Sequence, residues 1–445
     1  MAIVVPFRAI CYDAQKVGGL EQVLTQPYDK ITPQMQRVYL AKSPYNLVNI
    51  EKGETREADS PSENVYTRAA GYFHKWLQEG VLAQRPKAGF YAYYQQFTVP
   101  GDASGRAMVR KGFIGLGKLE EYSSGVIFRH EQTLSAPKAD RLDLLRATRA
   151  HTGQIFMLYS DPKREVDCLL DRAASSAPFE QMTDEYGTVH TLWEISDPVK
   201  TQAIQDLMRN QPLIIADGHH RYETALNFRR ECQSARPHKG NEACAYLMMT
   251  FVNMESEGLL ILPTHRLISG VPEFTRASFL SRAARYFTGR EYAYSGAGQQ
   301  QAVMRKLRED MAASDGTAIG VIFEGYNAFY LLQLRRELNL DELLPELTDA
   351  ERSLDVNVLH RIAFAQCLNM DEESFRREKF VTYVREFEEG AESVTSGRSQ
   401  ACFFLNPVKI QQMREVALQG KLMPQKSTDF YPKLLSGMTI YRLES

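Results

Sequence analysis

Residues 213–232 read LIIADGHHRYETALNFRREC, and the reading of the fold turns on them. Leu213-Ile214-Ile215-Ala216 is a short apolar run of the kind that forms a buried strand. Asp217-Gly218 interrupts it, and Gly218 permits a sharp backbone turn. Tyr222, Ala225, Leu226 and Phe228 then recur at roughly helical spacing, with Arg and Glu between them. Strand, turn and helix in that order place the helix's positive end and its unbonded amides beside Asp217. Such a corner suits a phosphate or a carboxylate. His219, His220 and Arg221 add cationic or donor groups to it. One glycine alone would indicate a structural turn. Two histidines, an arginine and an aspartate packed together at the carboxyl end of a strand favour a ligand site, because ligands of α/β sheets sit at such ends.

Outward from this corner, the chain has 445 residues, enough for two or three domains or one large domain with insertions. Hydrophobic content of 44% and charged content of 24% are ordinary for a globular protein. A formal net charge of -2 gives no argument for wholesale nucleic-acid binding. Apolar runs are too short to span a bilayer. The opening MAIVVPFRAICYDAQKV has no basic start or long apolar core, so it reads as a strand entering the fold and not as a secretory signal. The six cysteines are scattered with no CxxC pair, which indicates neither a zinc ribbon nor a disulfide framework. Reduced thiols fit a cytoplasmic protein.

Before the corner, Val4 to Arg8 reads as a strand, and Thr32-Pro33 as an N-cap and first helical residue. Pro44 to Ile50 alternates as a strand, 51–64 is a surface loop, and Val65 to Glu79 is a helix ended by Gly80. Residues 89–99 and Arg110 to Leu119 form a hairpin around Gly101 to Gly105, with aromatics on a sheet face. A helix begins near Lys138, and Gln154 to Tyr159 is a strand. Residues 160–210 hold a helix, a hairpin and a second helix. After the corner, 233–241 is a polar loop. Ala243 to Asn253 and Leu259 to Leu262 are strands expected to pair antiparallel in a mixed sheet. Phe274 to Phe287 and Gln299 to Ala313 read as helices, Ala318 to Phe323 and Ala328 to Leu334 as a hairpin. Leu354 to Cys367 is a helix with His360 as a packing residue, Cys402 to Leu405 a strand, and Val408 to Leu418 a helix. The expected class is α/β or α+β, a mixed sheet with flanking helices. The expected domains are 1–270 carrying the DGHHR site, 271–400 as an α+β region, and 401–445 packing back on the first.

Two other stretches are dense in polar groups. In Arg129 to Arg141, the side chains of His130, Glu131, Thr133, Lys138 and Arg141 are too polar for a core. Glu131 or His130 suits a general base, and Lys138 or Arg141 an anion contact, with a solvated loop as the plain alternative. In the tail, MPQKSTDFYPKLLSG, Lys426, Ser427, Thr428 and Lys433 are phosphate candidates, although the spaced glycines of a Walker loop are missing. Tyr28 and Asp29 of the QPYDKITP turn, and His265 and Arg266 of LPTHRLI, join Lys138 and Arg141 as candidates for substrate contact.

The segments PFRAICYD, QPYDKITP, SPYNLVNI, RHEQTLSAPKADRLDLLRATRA, ADGHHRYETAL, LPTHRLI, LDVNVLH and MPQKSTDFYPKLLSG, in that order, resemble over nearly the whole chain a bacterial and archaeal family of unknown function with the HHRYETA signature, the DUF1015 type. The DGHHR turn is also similar, over one short motif, to the phosphate-binding turn of the ParB and sulfiredoxin-like superfamily, which includes partition proteins, sulfiredoxin and free-serine kinases. That likeness implies a ParB/sulfiredoxin-like core elaborated by large insertions. It implies phosphate or nucleotide contacts from Gly218, His219, His220 and Arg221, and Asp217 as a Mg²⁺ ligand or hydroxyl-positioning group. The long insertion before Asp217 departs from the compact superfamily pattern and leaves the base open.

The leading expectation is phosphoryl transfer to a small hydroxylated metabolite, most simply by a free L-serine kinase. Mg²⁺ and ATP, ADP or pyrophosphate would serve as cofactor and donor, and catalysis would rest on positioning and charge neutralisation. Asp217, His219, His220, Glu131 and His130 are the catalytic candidates. A phosphoserine-type phosphatase, with His219 or His220 as nucleophile or acid, is the hydrolytic alternative. A nucleotide-binding regulator of the partition type lacks a helix-turn-helix and a basic stripe. A zinc hydrolase on His219, His220 and His265 matches no common zinc spacing. The expected partner is a small molecule, without nucleic acid or membrane, and a homodimer is one assembly the chain allows.

Overall fold

The structure is a computed structural model and describes residues 1–102, 104–131, 136–235, 242–371 and 379–443. Thr133 of the second polar stretch and residues 236–241 of the expected loop lie outside these. Two compact units emerge. The first holds 1–129, 133–260 and 432–445, the second 130–132 and 261–431. The division thus falls at residue 260, and of the 401–445 segment only the part from 432 belongs to the first unit.

The first unit is built on a nine-stranded sheet. Its strands are β1 (Val4–Val5), β2 (Phe90–Thr98), β3 (Ala107–Lys118), β4 (Ile127–Phe128), β5 (Ile155–Tyr159), β6 (Glu180–Thr183), β7 (Val189–Ile195), β8 (Leu213–Asp217) and β9 (Tyr246–Asn253). They lie in the order β4-β8-β5-β9-β3-β2-β7-β6, with β1 beside β3. The sheet is mixed: β8 runs parallel to β4 and antiparallel to β5, while β9 runs parallel to β5 and antiparallel to β3. Period-two alternation sends Ile155, Met157 and Tyr159, with Leu213 and Ile215, to one face. There they pack with Val166, Leu170, Ile204, Met208, Tyr222 and Ala225 from three helices (Glu165–Ala174, Pro198–Met208, His219–Ala235) in one buried core. Full burial of each Val, Leu, Ile or Met side chain among them contributes about 1.5–3 kcal/mol. The C-terminal segment closes this unit through bridges from Ser436 to Thr25 and from Ile440 to Ile10.

The second unit has a six-stranded sheet, antiparallel throughout. Its strands are β10 (His265–Ile268), β11 (Phe287–Ala293), β12 (Ala318–Phe323), β13 (Ala328–Leu334), β14 (Val381–Val384) and β15 (Ala401–Phe404), in the order β11-β13-β12-β15-β10-β14. Two helices (Ala297–Ala312, Phe387–Thr395) lay Leu307, Met311, Ala391 and Val394 against Ile322, Phe329, Leu331 and Phe404.

Three sequence readings change. Pro44 to Ile50 is not a strand: the Asn46 side chain accepts from the Val48 amide at 3.0 Å and starts a short helix, Val48–Glu51, with Leu47, Val48 and Ile50 all buried. A local hydrogen bond from the Val48 amide to the Asn46 side chain, two residues back, has outcompeted an alternation that fitted a strand. Leu260–Leu262 does not join the sheet of β9, whose two neighbours β3 and β5 already occupy both of its edges. The helix expected over Phe274 to Phe287 is shorter, Arg276–Ala283, capped by Thr275, and Phe287 opens β11. Among the described residues no helix is long and apolar enough to cross a membrane.

Candidate functional site

The corner after β8 is built as its residues require. Between Ile215 and Asp217 the pairing with β5 shifts register, so Asp217 leaves the regular ladder. Gly218 has φ +95°, in the left-handed region, and a Cβ there would lie 2.9 Å from Ile155 Cδ1. The Gly218 carbonyl accepts from the Tyr222 amide at 3.0 Å, and the helix starts at His219. No acidic residue stands in its first turn to offset the positive helix end. His219, His220 and Arg221 are all in that turn and partly buried.

Cations gather on Asp217. The Lys433 ammonium donates to its Oδ2 at 2.8 Å, with the carboxylate side chain 26% exposed and the lysine 12%. Burial pushes the Asp217 carboxyl up, but Lys433, Arg221 and Lys30 together pull it well below the usual carboxylate range. The fully buried Arg110 guanidinium interacts with the same charge. Arg110 donates to the Gln95 side chain and the Pro432 carbonyl, and Gln95 donates to the Lys433 carbonyl at 2.8 Å. Two central strands thus fix the backbone that carries Lys433. Arg221 is fixed as well: its Nη1 donates to the Gln154 carbonyl at 2.6 Å and would lie 2.9 Å from a Cβ at Gly153.

A small cavity of about 50 Å³ adjoins Arg221, lined among others by Glu51, Arg141, Thr152 and Gly153. Glu51, 4% exposed, accepts from Arg141 at 3.3 Å and from Thr152 at 2.5 Å. The Arg141 guanidinium lies over the Tyr28 ring, 4.3 Å from its centroid. Burial pushes the Tyr28 phenol up to about 12, against the pull of Arg221 and Arg141, so it stays a neutral donor. Its backbone carbonyl is held by Lys52 at 3.2 Å. Asp29, next along the turn, is exposed. Lys138 pairs with Glu223, which also takes Arg129 at 3.5 Å, so its charge is spent within the helix pair.

The other predicted residues lie in the second unit, where they hold the tail. His130, fully buried, shares a 2.8 Å hydrogen bond with Thr428 Oγ1, and its carbonyl accepts from the Met423 amide at 2.7 Å. Glu131 Oε1 accepts from the Lys426 amide at 2.6 Å, where Lys426 has φ +58° and an exposed side chain. Ser427 donates to the Pro424 carbonyl at 2.5 Å. The tail motif is therefore divided: Lys426, Ser427 and Thr428 fall in the second unit and Lys433 in the first.

His265 departs from its predicted substrate role. It is 2% exposed, its Nδ1 accepts from the Leu405 amide at 3.2 Å, and it packs edge-on against Phe387 and Phe404. Burial pushes its imidazole down to about 3, so it is a neutral packing group. Arg266 is buried too, donating to the Thr264 and Lys426 carbonyls.

The sequence reading left Lys30, Arg110, Glu51 and Gln154 out of the site. Lys30 directly follows Tyr28-Asp29, and Arg110 is a charge within the strand Ala107–Lys118 at a position that alternation sends to the opposite face from its charged neighbour Lys111, which are the two signals available. Nothing local marks Glu51. As a metal centre the corner is poor. Its carboxylate Asp217 is engaged by Lys433 and ringed by cations, and among the described residues no group of three or more His, Cys, Asp or Glu could hold an ion. The donor set does not fit Mg²⁺ bound by the protein alone. It fits an oxyanion.

No curated protein matches the sequence. Among solved structures the chain is similar to a conserved hypothetical protein from Pyrococcus furiosus, at 11% identity, covering 68% of this chain and 87% of that chain, with a TM-score of 0.33. It is similar to a free serine kinase in complex with AMP, at 11% identity, 68% and 83% coverage and a TM-score of 0.33. It is also similar to SbnI with a C-terminal truncation from Staphylococcus aureus, at 10% identity, 73% and 85% coverage and a TM-score of 0.34. The model of the family described as protein of unknown function (DUF1015) matches residues 4–357, and the chain belongs to that family.

Proposed function

We propose that the first unit grips a phosphoryl group at the Asp217–Arg221 corner and transfers it to a small hydroxylated metabolite, with free L-serine as the leading acceptor and ATP, ADP or pyrophosphate as donor. One observation carries this reading: Lys30, Arg110, Arg221 and Lys433 act on a single carboxylate, Asp217, beside a helix end with no acidic residue in its first turn. The surplus positive charge calls for an anion. Phosphoryl transfer is catalysed mainly by positioning and by neutralising charge on the equatorial oxygens, which is what fixed cations supply.

The parts are held before any ligand arrives. Lys433 is fixed at its carbonyl by Gln95 and at its ammonium by Asp217, and Arg221 at the Gln154 carbonyl. In the reaction a bond forms between the acceptor hydroxyl oxygen and the donor's terminal phosphorus, the bond from that phosphorus to the bridging oxygen breaks with its electron pair staying on the departing oxygen, and the hydroxyl proton passes to water. Asp217 would keep Lys433 aimed at the incoming oxygens. The adjoining cavity of about 50 Å³ is walled in part by the Arg141–Glu51 ion pair, whose two charges would meet the carboxylate and ammonium of an amino acid only once that pair opens. The DGHHR resemblance to a superfamily that includes free-serine kinases supports the same acceptor. A metal ion, if used, would arrive chelated by the donor's phosphates.

The test is product analysis with L-serine and each donor in turn. The expected result is O-phosphoserine from one of them, reduced at least about a hundredfold by Arg221→Ala or Lys433→Met. Hydrolysis of phosphoserine with no synthesis from any donor would reverse the direction to a phosphatase.

A further inference from the structure

The second unit contains a cavity of about 550 Å³, within the range of small-molecule sites. It draws its walls from six stretches of the second unit, through Thr264, Arg266, Thr317, Asp355, Asn406 and Lys409 among others. Arg266 is 1% exposed. Its terminal nitrogens donate to the Thr264 and Lys426 carbonyls, yet its buried Nε has no hydrogen-bond partner among the described residues. A guanidinium taken out of water with a donor unused is costly unless something enters to accept from it. The cavity that it lines is where such an acceptor would come from.

The opposite charge stands in the same cavity. Asp355 opens the helix Asp355–Val358 and is contacted by the Thr317 and Asn406 side chains, with the Lys409 charge nearby. Burial pushes its carboxyl up to about 6, more than Thr317, Asn406 and Lys409 pull it down. A carboxylate held this way is stabilised by a ligand cation. Arg352, also in the lining, is already paired with Asp341 at 2.5 Å and Asp349 at 2.7 Å, so it adds little to the balance. The walls therefore present a buried guanidinium with an unused Nε–H and a destabilised carboxylate to one partly open volume.

We propose that this cavity is a binding site for an amino-carboxylate metabolite up to the size of a short peptide, its carboxylate meeting Arg266 and Lys409 and its ammonium meeting Asp355. The site belongs to the second unit and stands independently of the phosphoryl-transfer reading.

Calorimetric and thermal-shift titrations of the full chain would use L-glutamate, L-lysine and glycylglycine as probes, with acetate and ethylamine as controls that lack one of the two groups. At least one probe is expected to bind and raise the unfolding temperature, with neither control doing so at equal concentration. Asp355→Asn and Lys409→Met should each weaken that binding tenfold or more, and Arg221→Ala should leave it unchanged. Arg266 also ties two carbonyls, so its removal would disturb the fold as well as the cavity. Absence of binding by all three probes, equal binding of acetate, or unaltered affinity in Asp355→Asn would overturn the assignment.

Discussion

The Lys433 ammonium lies 2.8 Å from the Asp217 carboxylate, across 216 positions of sequence. This pair joins the strand end that opens the corner to the tail that closes the unit, and both partners are largely shielded from water. A pair so placed sets the charge of the site as well as its geometry.

Replacing Asp217 with Asn should separate those two roles. Lys30, Arg110, Arg221 and Lys433 would then face one another without a counter-charge, and the protein should lose about 1–3 kcal/mol, less than for a fully buried pair because the carboxylate is partly exposed. Inorganic phosphate should restore more stability to Asp217→Asn than to the parent. Urea unfolding with and without phosphate measures this, and an equal phosphate effect on both proteins would count against the anion site.

The same pair predicts acid sensitivity. The Asp217 carboxyl is held below its ordinary value, because Lys433, Arg221 and Lys30 outweigh its burial. Its stabilisation is therefore fully present above the unfolded-state value near 3.9 and is lost as pH falls through the folded value. The parent should lose more stability than Asp217→Asn between pH 5 and the most acid pH at which both fold, all read from melting curves (pH limits about 5 and about 3 in practice).

Gly153→Ala should act on ligand binding more than on folding. Its new Cβ would lie 2.9 Å from Arg221 Nη1 and 3.2 Å from Ser436 Oγ, so the guanidinium must move. Gly218→Ala should act on folding first, since its Cβ meets Ile155 at 2.9 Å on a backbone with φ +95°, and a cost of about 1 kcal/mol or more is expected. Because the Gly218 Cβ would also lie 3.2 Å from Arg221 Nη2, Gly153→Ala is the cleaner variant, and unaltered phosphate affinity in it would mean that Arg221 is not the anion contact.

Asp355 predicts a trend of opposite sign in the second unit. Its carboxyl moves from an ordinary 3.8 up to about 6, so the folded protein holds the proton more tightly than the unfolded chain. The resulting stability is present below the ordinary value and lost as pH rises through about 6, by at most about 3 kcal/mol. Asp355→Asn should flatten that part of the stability profile. Superimposable profiles of parent and variant would remove the claim.

Much of this was legible along the chain. The apolar run of Leu213 to Ala216, the break at Gly218 and the helical spacing beyond it specify β8, its turn and its helix, because each is a local signal of a few residues. The hairpin of β2 and β3, the cap at Thr32 and the packing role of His360 follow in the same way. Local signals also misled. The alternation at Pro44 to Ile50 fits a strand, yet the Asn46 side chain turns the backbone by accepting from the Val48 amide, and the short helix that follows delivers Glu51 to the cavity beside Arg221.

What the sequence by itself determined is the corner: a strand end, a glycine at positive φ, and a histidine- and arginine-rich first helical turn, all encoded within nine residues from Leu213 to Arg221. What only the tertiary structure decided is the company it keeps. Lys433 parted from Lys426, Ser427 and Thr428, Arg110 became a buried neighbour, and His265 went to a ring-packed core. Turn geometry depends on neighbouring residues and can be read from them. The charge on Asp217 depends on distance in space, and side chains hundreds of residues away become its neighbours only once the sheet has formed.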